Sequence, residues 1–255
     1  MNQYLSSSSL KAQARGQLLG KYGTLIGALI LARLCTFPFS LAISFMISTD
    51  TIIGVLLYSM AEFLLQLFTG FFLAGKAYLY LKNACGQRPE VTDIFHCFKG
   101  DTAKVLKLQA VSGGISVLCS LPLLLIEALV FQPMELLTPE ALLTGNLTFS
   151  PAALLIYEVI TILVNIITIY VNLMLSQIFY LMLDFPEYTA SQILKMSIRV
   201  MKGNKGRLFY IQLSFIPLLL LSLLSFGIAL FWVYPYMKAT YTNFYLDLIK
   251  KQKQA

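Results

Sequence analysis

Charge is scarce in this 255-residue chain. Asp, Glu, Lys and Arg supply 12% of its residues, about half the share usual for a globular domain. With 58% hydrophobic residues, a soluble fold is excluded, because too little polar surface remains to cover it. A hydrocarbon solvent demands such a composition, since a charge at the bilayer centre costs at least about 2.5–3.5 kcal/mol. Catalytic residue sets are also missing. The single histidine, His96, adjoins Cys97, but neighbouring helical residues point about 100° apart and make a poor dyad. Cys85, His96 and Cys97 lack the paired CxxC or HExxH spacing of a metal centre, so no metal is expected. There is no phosphate-cradling glycine loop, and no cofactor is expected. Gly16, Gly20, Gly23 and Gly27 fall at helix-packing spacings instead. A cleavable leader is not expected either, because the first apolar run, from about Gly23 to Ile47, is too long for a signal core. The four cysteines show no disulfide framework. Cys35 and Cys119 fall within spans, and Cys85 and Cys97 fall on the side assigned to the cytoplasm, where disulfides are disfavoured.

Lys and Arg are absent from alternate loops, and this fixes an expected topology. Eighteen of the 19 lie on one side of the apolar runs: three from Lys11 to Lys21, six from Lys76 to Lys107, five from Lys195 to Arg207, and four from Lys238 to Lys253. The opposite loops carry only Asp50, Glu135 and Glu140. Cytoplasmic loops retain Lys and Arg, so both termini are expected inside. A crossing needs about 20 apolar residues, and the runs 23–47, 51–75, 105–131, 151–183, 208–224 and 228–246 qualify. The expected fold is all-α, one integral-membrane domain over 1–255 in a polytopic bundle of about six spans. Between the last two spans, Ser225-Phe226-Gly227 offers a turn, and Pro217 and Pro235 weaken a single long helix. Trp232, Tyr234, Tyr236, Tyr241, Phe244 and Tyr245, and Tyr78 and Tyr80 after span two, are expected at the membrane interface.

Two cytoplasmic loops read as amphipathic helices. In 89–99, Val91, Ile94, Phe95 and Phe98 recur at helical spacing; in 189–202, Lys195, Arg199 and Lys202 share one face and Ile193, Met196 and Val200 another. Such helices either lie on the membrane, basic face toward lipid head groups, or pack beneath the bundle. Pro89-Glu90-Val91-Thr92 is echoed by Pro186-Glu187-Tyr188-Thr189, and Lys99-Gly100-Asp101 by Lys202-Gly203-Asn204. Parallel duplication of a two-span unit is compatible with this pattern.

The C-terminal third resembles a known family. Lys195-Met196-Ser197, Met201-Lys202-Gly203-Asn204-Lys205, Leu208-Phe209, Leu213-Ser214-Phe215-Ile216, Gly227-Ile228, Trp232-Val233-Tyr234-Pro235-Tyr236 and Phe244-Tyr245 carry the likeness. So do Ala14-Arg15, Leu18-Leu19-Gly20, Gly23 with Ile26-Gly27-Ala28, and Asp93-Ile94-Phe95 with Phe98-Lys99. The chain resembles DUF975, a family of bacterial multi-pass membrane proteins without an assigned activity. The resemblance implies a cell-membrane location, mostly in Gram-positive bacteria, and supplies no catalytic residues. Pro217 and Ser225-Phe226 depart from its pattern.

Ionisable groups inside spans are functional candidates: Arg33, Glu62, Glu127 and Glu158. Arg33 and Glu62 fall near mid-membrane on neighbouring spans, where an ion pair would relieve both burial costs. Glu127 and Glu158 lie nearer the outer surface. In span four, Glu158, Thr161, Asn165, Thr168, Asn172 and Ser176 line one helical face, either as interhelical glue or as a polar lining. Ser112, Ser116 and Ser120 make a small-residue face in span three, expected as a packing seam. The leading expectation is a non-enzymatic membrane protein that assembles with itself or a membrane partner and contacts lipid head groups, not nucleic acid. The alternative is a transporter or channel-like subunit with its path along span four. No acid/base pair supports a lipid-handling enzyme.

Overall fold

The structure, a computed structural model, describes residues 4–130 and 151–252, and among them it is helical with no strand. The elements are α1 (Ser7–Leu18), α2 (Tyr22–Met46), α3 (Ile52–Ala84), a 3-10 turn (Val91–Phe95) running into α4 (His96–Lys99), α5 (Thr102–Val130), α6 (Pro151–Leu175), α7 (Ile178–Asp184), α8 (Ala190–Met201), α9 (Lys205–Leu213), α10 (Ile216–Leu224) and α11 (Leu230–Gln252). Five helices are long and apolar enough to cross a membrane: Tyr22–Met46, Ile52–Ala84, Thr102–Ile126, Leu155–Asp184 and Lys205–Leu224. The sixth expected span, 228–246, falls on α11, which is helical but carries Lys238 and Asp247 and is the least apolar of the six.

The described residues form two compact units. One comprises 1–35, 69–108 and 173–255, the other 36–68 and 109–172. In the second, most large side chains of α2, α3 and α6 point outward and are apolar: Phe45, Ile53, Leu57, Leu64, Ile162 and Ile166 are all exposed. A helix apolar all round belongs in lipid. The turn between α2 and α3 is tight. A Cβ on Gly54 would collide with the Ser48 carbonyl oxygen, and Ser48 Oγ donates to Asp50 Oδ2 at 2.5 Å. The close approach in α5 is made at Gly113, against Gln66, and at Gly114, against Phe63. Of the expected serine seam, Ser112 and Ser116 are half-buried, with Ser116 Oγ donating to Ser112 O at 3.1 Å, and Ser120 is exposed.

The first unit buries side chains of several helices together. Two apolar clusters hold it. Leu25, Ala28, Ala32, Phe72, Leu79 and Ile94 form one, and Leu10, Val200, Met201, Leu208, Ile211, Phe215, Phe244 and Leu248 the other. α1, capped by Ser6 Oγ accepting from Ser9 N at 3.2 Å, packs Leu10, Ala14 and Leu18 inward. Gly20, at φ 73°, turns the chain into α2. Gly16, Gly20 and Gly23 face no neighbour and Gly27 meets only Val91, so the glycine spacing there is not a helix seam.

Both loop helices pack under protein. In the first, Ile94 is fully buried and its carbonyl lies so close to α3 that only glycine fits at Gly75. Asp93 takes both oxygens to Lys82 Nζ at 2.9 and 3.0 Å. In the second, Thr189 and Gln192 cap α8 reciprocally, Ile193 and Val200 are buried, and Ser197 Oγ donates to Met174 O at 2.7 Å. The two loops differ in backbone despite their shared sequence: 3-10 against α, and Gly100 at φ −94° against Gly203 at +82°.

The final hairpin has an informative geometry. Lys11 Nζ donates to Ser214 O at 3.0 Å, so the junction of α9 and α10 lies beside α1. α10 has nine residues, about 13 Å of rise. The chain then reverses at Ser225–Ala229, with Phe226 at φ 51° and Gly227 at φ 84°. α11 starts at Leu230, which shares a cleft with Arg33, about 16 Å along α2 from Tyr22.

Candidate functional site

α11 is the axis of the first unit, and its polar residues face protein. Thr240, Thr242, Asn243 and Asp247 are buried. Gln17 Nε2 donates to Asn243 Oδ1 at 3.0 Å, Tyr180 and Thr242 share a hydroxyl bond of 2.9 Å, and Tyr245 OH donates to Asp184 Oδ2 at 2.6 Å. Asp247 accepts from Arg207 Nη2 at 2.5 Å and from Leu5 N at 3.2 Å, and Arg207 also donates to Leu5 O at 2.7 Å. This network was not visible in the sequence; the only hint was a lone acid in a Lys-rich tail. Several rings expected at the membrane interface are buried in protein. Phe244 and Tyr245 are fully buried, Tyr80 nearly so, and Tyr78 stacks on His96 at 3.7 Å. These rings pack against protein, whereas Trp232, of the same expected belt, is exposed and Tyr234 and Tyr236 are half-buried.

The neighbour of His96 in sequence is buried. Cys97 is 4% exposed, and burial pushes its thiol up to about 11. It is protonated at neutral pH and is no nucleophile. Cys85 is exposed. Among the described residues no three metal-ligating side chains gather.

α6 presents the polar stripe as the spacing implied. Glu158, Asn165 and Asn172 are exposed, Thr161 and Thr168 half-buried, and Asn165 Nδ2 donates back to Thr161 O at 2.8 Å. Their neighbours on the outer surface are Leu155, Val159, Ile162, Ile166 and Ile169. Arg33 belongs to the first unit and Glu62, half-buried, to the second. Lys76 and Tyr234 line one cleft with Arg33. Glu127 lies outside the residues whose side chains are described, and Glu135 and Glu140 outside the described residues. Lys195, Arg199 and Lys202 are exposed along α8. A second cleft, of about 540 Å³, is wholly apolar, between α2 and α3 in the second unit, with Phe39, Met46, Leu64 and Phe68 among its walls.

A family described as "Protein of unknown function (DUF975)" matches residues 1–252. The chain belongs to this family. No curated protein and no solved structure matches it. For a DUF975 chain the function must therefore be argued from its own surfaces. Three are chemically distinctive: the α6 stripe, the α8 basic face and the cleft at Arg33.

Proposed function

We propose that this protein is a multi-pass protein of the bacterial cell membrane with no catalysis of its own, and that it works by assembling with a second copy through α6. One observation carries the reading. Glu158, Asn165 and Asn172 are exposed on a helix whose other outward residues are Ile, Leu and Val. In lipid, such groups lack the partners water would give them. A second α6 supplies amide partners in register, and interhelical bonds of this kind contribute up to about 2 kcal/mol each.

The Lys and Arg partition supports both termini facing the cytoplasm. We read α10 and the start of α11 as a hairpin that enters from that side and returns. α10 alone spans less than half of a hydrocarbon layer about 30 Å thick, and its base is tied to α1 by Lys11. Four helices then cross fully. The exposed Lys195, Arg199 and Lys202 face supports contact with anionic head groups, while its apolar side is already covered by protein.

Asn165→Cys in a background without native cysteines tests the assembly. The expected result is an intermolecular disulfide in membranes under mild oxidant. A cysteine that stays monomeric and reacts with charged, water-soluble thiol reagents would instead support the polar-path reading.

A further inference from the structure

In the second unit, α3 turns a polar face toward α5. Gln66 is seated on the bare backbone of Gly113, where a Cβ would stand 2.9 Å from its Oε1. Phe63 covers Gly114 in the same way, its ring 3.7 Å from where that Cβ would be. Gln109 reaches the same place from α5 itself, with Nε2 3.7 Å from the Gly113 position. Two side-chain amides, one from each helix, thus meet at one glycine. Gln109 is 5% exposed, and among the described residues nothing donates to its Oε1.

Glu62 stands one turn before Gln66, about 40° around the helix from it. It is half-buried, and among the described residues no hydrogen bond or ion pair reaches its carboxylate. Ser59, buried on the same side of α3, spends its hydroxyl proton on Val55 O at 2.8 Å and keeps lone pairs to offer. Both helices are apolar enough to cross a membrane, where no water is at hand to serve these groups. Oxygen donors carrying one negative charge suit a small, hard cation. A single positive charge leaves the group neutral, whereas a divalent ion would leave a net charge in hydrocarbon. A proton on Glu62 would serve one of the two amide oxygens and leave the other without a donor.

We propose that Glu62, Gln66 and Gln109 bind a monovalent cation of the sodium type between α3 and α5. Glu62 supplies the neutralising charge, and the two amide oxygens replace part of the hydration shell. Gly113 leaves Gln66 the room to bring its carbonyl to the ion. The site lies within the second unit, on helices other than α6, and it does not depend on self-assembly.

The full chain in phosphatidylcholine vesicles is treated with dicyclohexylcarbodiimide, a membrane-soluble reagent for protonated carboxyl groups. Modification of the peptide carrying Glu62 is followed by mass spectrometry. A bound cation holds Glu62 as the carboxylate and shields it. At constant pH and ionic strength, sodium in place of choline should slow the reaction, about tenfold at ten times the half-protecting concentration. Glu158, exposed on α6, should react alike in both salts. Gln109→Leu should raise the half-protecting concentration about tenfold, the loss of one polar contact to a charge. Gly113→Ala displaces only the end of a flexible side chain, so the chain should fold while protection weakens. Gly114→Ala, in ordinary contact with Phe63, should keep it. Equal rates at Glu62 in sodium and choline in the unmodified protein, including no reaction in either, would overturn the proposal whether or not any variant folds. A rate set by pH and indifferent to sodium would make this a proton site, and stronger protection by calcium a divalent one; either overturns it. Protection that survives Gln109→Leu and Gly113→Ala combined would remove the amides from the site and overturns it as well.

Discussion

Asp247 joins the two ends of the chain. Its carboxylate receives Arg207 from α9 and the backbone of Leu5, while the Arg207 guanidinium lies over Tyr4 and Phe244 at 4.7 and 5.0 Å. The side chains are only 9% and 19% exposed, so removing one partner strands the other away from water. Asp247→Ala should therefore lower stability by about 3 kcal/mol, seen as a lower thermal midpoint of the purified chain. Arg207→Met combined with Asp247→Leu should recover part of the loss, since a buried pair is often replaceable by packed apolar groups. A double variant no better than Asp247→Ala would show that the ionic pair, not the packing around it, is required.

Among the elements, the docking of the 91–99 segment on α3 turns on a missing side chain. Gly75→Ala would drive a methyl group into the Ile94 carbonyl, and the resulting shift should cost about 1–3 kcal/mol. Gly16→Ala, at an open position within α1, should instead be neutral or stabilise by up to about 1 kcal/mol. Thermal unfolding of the two variants measures the contrast, and equal effects would contradict the packing described. The hairpin makes a second prediction at this scale. Phe226 is 98% exposed at its tip. If the tip ends within hydrocarbon, Phe226→Cys should resist a charged thiol reagent added from either side of intact membranes; labelling from outside would restore two full crossings. The apolar runs were legible because lipid is a uniform solvent that imposes composition along a helix whatever its neighbours. The burial of α11 was not legible, because Thr240, Thr242, Asn243 and Asp247 look like a solvated end until α1 and α7 cover them. The pairing of Gly75 with Ile94 was likewise hidden, since a close approach leaves no mark on the sequence of the partner.

At the scale of the molecule, the described residues fall into two compact units. One buries polar and aromatic side chains among themselves, and the other shows apolar side chains outward. The charge partition in the sequence concerned the two sides of a membrane and one domain over 1–255, and it did not anticipate this division. Arg33 lines a cleft with Lys76, and the α6 amides face outward. The positions on the polar face of α6 were readable from their helical spacing, whereas Arg33 and Lys76 are far apart in the chain, and no local pattern encodes their meeting. The outward amides bear directly on the central claim, because a stripe exposed in one copy is covered in two. The deciding measurement is the number of copies per particle when the protein is extracted with its surrounding lipid into nanodiscs. The account predicts two copies for the unmodified chain and one when Glu158, Asn165 and Asn172 are all replaced by Leu. A single copy in the unmodified protein, or two in the triple variant, would contradict it.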